Sequence, residues 1–175
     1  MIDVRNSTLL VIDMQARLMP AIDAAAAALL NARRLTEAAA LLNVPVAFTE
    51  QNPKALGPTL PELGATAAHT LAKMTFDACR APGFDALLPE GRAAILTGVE
   101  AHVCVLQTAL GLIERGRRAA VVADAVGSRR LENKTTALDR MARAGVEIVT
   151  TEMVVFEWLG GADNPCFREV VALIK

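Results

Sequence analysis

Short, unbroken apolar runs recur along this chain, each closing on a small or polar residue, and they constrain the fold more than any other feature. Residues 8–12 (Thr-Leu-Leu-Val-Ile) run into Asp13, residues 93–97 precede Gly98, and residues 119–123 precede Asp124. A strand with one wet face alternates polar and apolar side chains, so an uninterrupted run marks a strand buried on both faces. That condition is met by a parallel sheet covered with helices.

The segments between the runs supply those helices. Residues 21–42 are rich in alanine, with high helix propensity, and Pro45 then opens a short strand at 46–49. Residues 69–73 read as a third, shorter strand. After the run at 93–97, Val103, Leu106, Leu110 and Ile113 fall at helical spacing, and Gly116 closes that helix. A strand at 119–123, a helix at 131–144 stopped by Gly145 and a last strand at 147–150 continue the alternation. Strands separated by helical crossovers imply right-handed βαβ units. The expected architecture is a three-layer α/β/α sandwich, Rossmann-like, with a six-stranded parallel sheet in a single domain spanning 1–175. Between 50 and 68 stand Pro53, Gly57, Pro58, Pro61 and Gly64, too many breakers for a regular element. This segment reads as a long loop or broken helix and as a candidate lid.

Composition narrows the function. Lys and Arg together number 18 against 19 acidic residues, which lacks the basic footprint of a nucleic-acid binder and favours a small-molecule substrate. The apolar stretches near the N-terminus, 7–12 and 24–30, fall far short of the ~20 residues that span a bilayer. No membrane segment or export signal is expected, and the cytoplasm is the default compartment. The three cysteines, Cys79, Cys104 and Cys166, are odd in number and form no CxxC pair, and the two histidines, His69 and His102, form no metal-binding spacing. No metal or other cofactor is expected, and at least one thiol should be free.

In open parallel sheets ligands bind beyond the carboxyl ends of the strands, so polar residues directly after strands are the candidates. Asp13 ends the first strand, Cys104 follows the fourth near the start of its helix, and Asp124 follows the fifth. A free cysteine is commonly a core residue, but a helix start lowers a thiol's pKa and aims N–H groups at a developing oxyanion. An aspartate after a strand is commonly a cap, or else a general base. Lys73 is by default a solvated cation. Asp124 reads as a brace for the turn 124–128, His102 as a polar neighbour of the nucleophile turn, and the Arg129-Arg130 pair as one solvated and one paired side chain. Spacing alone does not join Asp13, Lys73 and Cys104.

The blocks Leu10-Val-Ile-Asp-Met-Gln15, Lys73 with Phe76, Thr97-Gly-Val-Glu-Ala-His-Val-Cys-Val105, Val122-Ala-Asp-Ala-Val126 and Thr150-Thr-Glu152 resemble the isochorismatase-like cysteine hydrolases over nearly the whole length. Within that family they are most similar to the isochorismatase domain-containing proteins. The resemblance implies a strand order 3-2-1-4-5-6, with strands one and four adjacent at the switch point. It implies Asp13 as base, Lys73 as electrostatic partner and Cys104 as nucleophile. It also implies a cis peptide between Val99 and Glu100, and an oxyanion hole from the N–H groups of Glu100 and Cys104. Gln15, Phe76, His102 and Asp124 are the candidates for supporting positions.

Two departures refine it. Nicotinamidases of the family carry a metal cluster after the second strand, where this chain reads Thr49-Glu-Gln-Asn-Pro53. Isochorismate-cleaving members lack the cysteine. The expectation is a cysteine-dependent hydrolase of a small amide or carbamoyl-type substrate, acting through a covalent intermediate. A thioesterase or other thiol-dependent hydrolase is the alternative within enzymes, and a non-catalytic interaction module retaining the site is the alternative outside them. Family members commonly assemble, so a homo-oligomer is expected, with Val154, Val155, Phe156 and Trp158 serving either that surface or the core.

Overall fold

Alternate side chains of the first strand enter different cores. In the computed structural model, which describes residues 1–175, every residue of β1 (Ser7–Ile12) is buried. Leu9 and Val11 pack on one side of the sheet, Leu10 and Ile12 on the other. The remaining strands are β2 (Val46–Gln51), β3 (Thr70–Lys73), β4 (Ala93–Val99), β5 (Ala119–Gly127) and β6 (Glu147–Val149). All five pairings are parallel, in the order β3-β2-β1-β4-β5-β6, as the resemblance implies.

The helices are α1 (Ala25–Leu41), α2 (Pro53–Leu56), α3 (Phe84–Leu87), α4 (Leu106–Glu114), α5 (Leu131–Arg143), α6 (Thr151–Leu159) and α7 (Phe167–Ala172). One face of the sheet is covered by α1, α6 and α7 through Ala28, Ala32, Leu35, Trp158 and Val170. The opposite face is covered by α3, α4 and α5 through Phe84, Leu112 and Met141. The buried stripe of α1 includes Ala28, Ala32, Ala38 and Ala39, whose small side chains let the helix lie close on the strands. No helix is long and apolar enough to cross a membrane.

Several boundaries differ from the sequence reading for physical reasons. The helix expected from residue 21 starts at Ala25, because Met19–Ala21 forms a 3-10 turn around Pro20. Helices α6 and α7 were not anticipated. Thr150 caps α6 by accepting a hydrogen bond from the Met153 N–H, which turns Val154, Val155 and Trp158 into the core and leaves Phe156 and Met153 exposed. Asp124 does not follow β5 but lies within it. Leu96 pairs with Val121 and Gly98 with Val126, so Thr97 alone stands opposite residues 122–125, which bulge out of register.

The segment read as a lid is braced in part. Its first half is stapled to the chain leaving β1: Ala16 N–H donates to the Pro58 carbonyl at 3.0 Å, Arg17 N–H to Leu56 at 3.0 Å, and Leu60 N–H to Met14 at 2.9 Å. The Gln15 amide adds a bond to the Gly57 carbonyl at 2.6 Å, and the Glu50 carboxylate accepts from the Thr59 N–H at 2.7 Å and its hydroxyl at 2.9 Å. The breakers here divide the segment into short turns, α2 (Pro53–Leu56) and the 3-10 turns Pro61–Leu63 and Ala67–His69, the broken helix of the sequence reading.

Candidate active site

Asp13 leaves β1 with a left-handed backbone, φ 52°, which aspartate tolerates better than most residues. It is held there from β2: its N–H donates to the Thr49 carbonyl at 3.1 Å, and the Thr49 hydroxyl donates to its Oδ1 at 2.7 Å. Oδ2 faces Lys73, whose Nζ lies 2.7 Å away, and both side chains have no solvent exposure. The lysine reaches this point from the end of β3, crossing the end of β2. There Gln51 stands in register with it and accepts a second ammonium hydrogen bond at Oε1, 2.9 Å. A buried cation so placed is sustained by its ion pair and hydrogen bonds.

Cys104 approaches from the other neighbour of β1. The end of β4 passes very close to β1 at Gly98, where an added Cβ would sit 2.0 Å from the Ile12 carbonyl oxygen and φ is +124°. Only glycine meets both demands. The Val99–Glu100 peptide is cis. Ala101–Val105 then forms a single π turn leading into α4, with Cys104 inside it and only 5% exposed. The thiol is pushed up to about 12, first by burial and then by the negative charge of Asp13, with Lys73 opposing. Asp13 and Lys73 are thus the two charges that act on the thiol. The direction is opposite to that expected from a helix start, because burial and the Asp13 carboxylate both favour the neutral thiol.

The supporting candidates divide. The Gln15 amide is fully buried and grips Gln51 on both sides, donating to its carbonyl at 3.1 Å and accepting from its N–H at 2.8 Å. Glu100 turns its carboxylate away from the thiol and into a two-pronged pair with Arg129, at 2.9 Å from Nε and 2.7 Å from a terminal nitrogen. That hydrogen bonding holds Glu100 below the usual carboxylate range against the opposing effect of burial. His102 is not brought to the thiol: its Nδ1 meets the Ser128 hydroxyl at 3.0 Å and its Nε2 the Asn133 amide at 3.4 Å. Phe76, half exposed, lines a 330 Å³ cavity with Arg80, Gln107 and Leu110. Asp124 braces no turn of its own. Its Oδ1 accepts from the Thr151 N–H at 2.8 Å and hydroxyl at 2.9 Å, tying the β5 bulge to the start of α6.

Thr49 and Gln51 were not singled out by sequence reasoning, yet they hold Asp13 and Lys73. The signal was available once the strand order was adopted, since parallel register pairs Ile12 with Thr49 and Gln51 with Lys73.

The sheet of order 3-2-1-4-5-6 carries a buried aspartate, lysine and cysteine beyond the carboxyl ends of β1, β3 and β4, where open α/β sheets hold their ligands. The chain belongs to the Isochorismatase domain family, whose sequence pattern matches residues 7–153. Isochorismatase domain-containing protein 1 of Salmo salar is 39% identical over 166 residues, which cover 93% of this chain and 59% of that protein. The chain thus spans well under two thirds of that relative's length. A solved structure titled MAR1 ribonuclease from Caenorhabditis elegans is 40% identical, with a TM-score of 0.92, covering 99% of this chain and 91% of its own. The YcaC gene product of Escherichia coli, titled an octameric hydrolase of unknown specificity, is 28% identical with a TM-score of 0.88, covering 99% and 86%.

Proposed function

We propose that the chain is a single-domain, cysteine-dependent hydrolase of small amide or carbamoyl-type substrates. The observation that carries this reading is the enclosed Asp13–Lys73 pair beside a protonated Cys104 thiol. A thiol that stays protonated at neutral pH is a poor nucleophile alone, so attack requires a base in contact with it. Asp13 takes the thiol proton as sulfur bonds to the substrate carbonyl carbon. The carbonyl oxygen, now negative, is received by the N–H groups of Glu100 and Cys104. As the C–N bond breaks, Asp13 returns the proton to the departing nitrogen and leaves a thioester on Cys104. Water then adds to the thioester, giving up a proton to Asp13, and collapse releases the acid and restores the thiol. Lys73 compensates the carboxylate throughout.

The test is a panel of amides, carbamoyl compounds and thioesters, with intact-protein mass spectrometry to detect an acyl group on Cys104. An oligoribonucleotide belongs in the panel because the C. elegans neighbour is named a ribonuclease. Turnover with transient mass on Cys104, lost in Cys104→Ala, supports the reading. Undiminished turnover by Cys104→Ala defeats it. The same reading takes the protein as a homo-oligomer, supported by the octameric E. coli neighbour and by Met153 and Phe156 exposed on α6. Light scattering that finds a monomer at micromolar concentration removes that part.

A further inference from the structure

β2 is longer than its outer neighbour. Its pairing with β3 begins with Phe48 opposite Thr70, so Val46 and Ala47 have no strand on that side. The chain ahead of Thr70 leaves the line of β3 in a 3-10 turn, where the His69 N–H donates to the Thr66 carbonyl at 3.0 Å. On the inner side Leu9 stands opposite Val46, and its N–H donates to the Pro45 carbonyl at 2.9 Å. Main-chain groups alternate in direction along a strand, so those of Pro45 and Ala47 serve β1 while the N–H and carbonyl of Val46 face the gap. No turn or loop bonds either group.

A cavity of 750 Å³ occupies the place where β3 would have continued. That volume falls within the range of small-molecule sites, about 300–1,000 Å³. Ala40 and Leu63 line it on the α1 side and Leu87 on the α3 side. Arg92 enters from the amino end of the sheet: it precedes β4, and its guanidinium donates to the carbonyl of Ser7, the first residue of β1. No carboxylate pairs with it. The carboxylates on the rim, Glu37 and Glu62, are both exposed, and Glu37 is paired with Arg33 at 3.4 Å.

These groups specify a ligand. A residue paired antiparallel with Val46 exchanges both bonds with it, giving its N–H to the Val46 carbonyl and taking the Val46 N–H on its own carbonyl oxygen. The Val46 N–H lies toward Pro45, the end at which Arg92 enters, so a carboxylate in place of that carbonyl meets both donors. Ala40, Leu63 and Leu87 leave the remaining space to apolar groups.

We propose that this cavity is a second ligand site, at the opposite end of the sheet from Cys104, and that it takes an N-acylated amino acid with an apolar side chain. The full chain is titrated with N-acetyl-leucine, with calorimetry giving the affinity and ¹H–¹⁵N spectra locating the site. The Val46 N–H resonance is expected to move downfield. N-acetyl-leucine amide, which has the same body without the carboxylate, is expected to bind at least about 10-fold more weakly, and Arg92→Met to weaken N-acetyl-leucine by the same factor, since each loses a hydrogen bond to a charged group.

No saturable binding at millimolar concentration overturns the proposal, as do shifts confined to the carboxyl ends of the strands with Val46 unmoved. Equal affinity for the amide, or for a folded Arg92→Met protein, overturns it too. Should Arg92→Met fail to fold, Leu87→Trp places an indole in the cavity from a half-buried position; it is expected to abolish binding, and unchanged affinity there overturns the proposal. Acetyl-Ala-Ala-Leu binding tenfold more tightly than N-acetyl-leucine would overturn the assignment to a small ligand in favour of a protein C-terminus.

Discussion

The Lys73 ammonium lies 2.7 Å from Oδ2 of Asp13, and neither side chain has any solvent exposure. An ion pair of this kind is costly to assemble and more costly to break, because removal of one partner strands the other charge away from water. Lys73→Met is therefore expected to lower the free energy of unfolding at pH 7 by about 3–5 kcal/mol, read from urea denaturation. A loss within experimental error would mean that Asp13 finds another source of compensation.

Asp13→Asn separates proton handling from thiol activation. In the proposed mechanism the carboxylate assists turnover as base and acid, while its charge raises the Cys104 thiol. The variant should lose about 100 to 10,000-fold in turnover while its Cys104 reacts faster with iodoacetamide at pH 8, since one cause of the raised value is gone. Near-normal turnover would exclude Asp13 as the base, and slower alkylation would contradict the electrostatics of the site.

The Glu100–Arg129 pair ties the turn that carries Cys104 to the chain following β5. Glu100 ionises below the usual carboxylate range in the folded protein, so its contribution to stability is present above the unfolded value and is lost as pH falls through the folded one. Arg129→Gln is expected to melt at a lower temperature than the parent at pH 7. The two melting temperatures should converge as pH falls below the range in which carboxylates ordinarily titrate. A constant gap down to pH 3 would show that packing, not the charged pair, is what Arg129 supplies.

Cys79 and Cys104 give the protein an alkaline weakness. Both thiols are raised to about 12 from 9.0, principally by burial. The unfolded chain therefore releases these protons before the folded chain does, and stability falls as pH climbs from 9 toward 12. Cys79→Ala should flatten the decline of melting temperature between pH 8.5 and 10.5. An unchanged slope would place the alkaline loss elsewhere.

Gly98 sets how closely β4 approaches β1. A methyl group there meets the Ile12 carbonyl oxygen at 2.0 Å, and φ +124° is unsuited to any side chain. Gly98→Ala is expected to cost more than about 4 kcal/mol or to prevent folding, as judged by soluble yield and denaturation. A stable variant with a wild-type melting temperature would show that β1 and β4 can part without consequence.

The sheet was legible because doubly buried strands leave uninterrupted apolar runs, and 8–12, 93–97 and 119–123 all became strands. Their ends were harder to read. β5 continues past Ala123 to Gly127 because Thr97 bonds across to the Ala125 carbonyl and lets the strand bulge and resume, a long-range event with no local signature. α6 was hidden by its composition, since a helix buried on one side and apolar on both shows little periodicity. Asp13 and Cys104 were visible from their places after strands. Lys73 was joined to them only through the family resemblance, because no spacing reveals that its side chain crosses β2. The causes that raise the Cys104 thiol, burial and the Asp13 charge, were not legible, because helix position is local whereas they depend on how β1 and β4 are brought together.

The staple between residues 14–17 and 56–60 makes those two segments one inheritable part. Gln15 lies at the centre of it, with its single amide shared between Gln51 and Gly57. Two relatives that differ in this loop are then expected to differ also just after β1. Recombination that moves residues 51–60 alone would join a loop to a partner it was not selected with. Exchange of specificity between family members along this side of the site must carry both pieces, although more than thirty residues and the whole of α1 separate them in the chain.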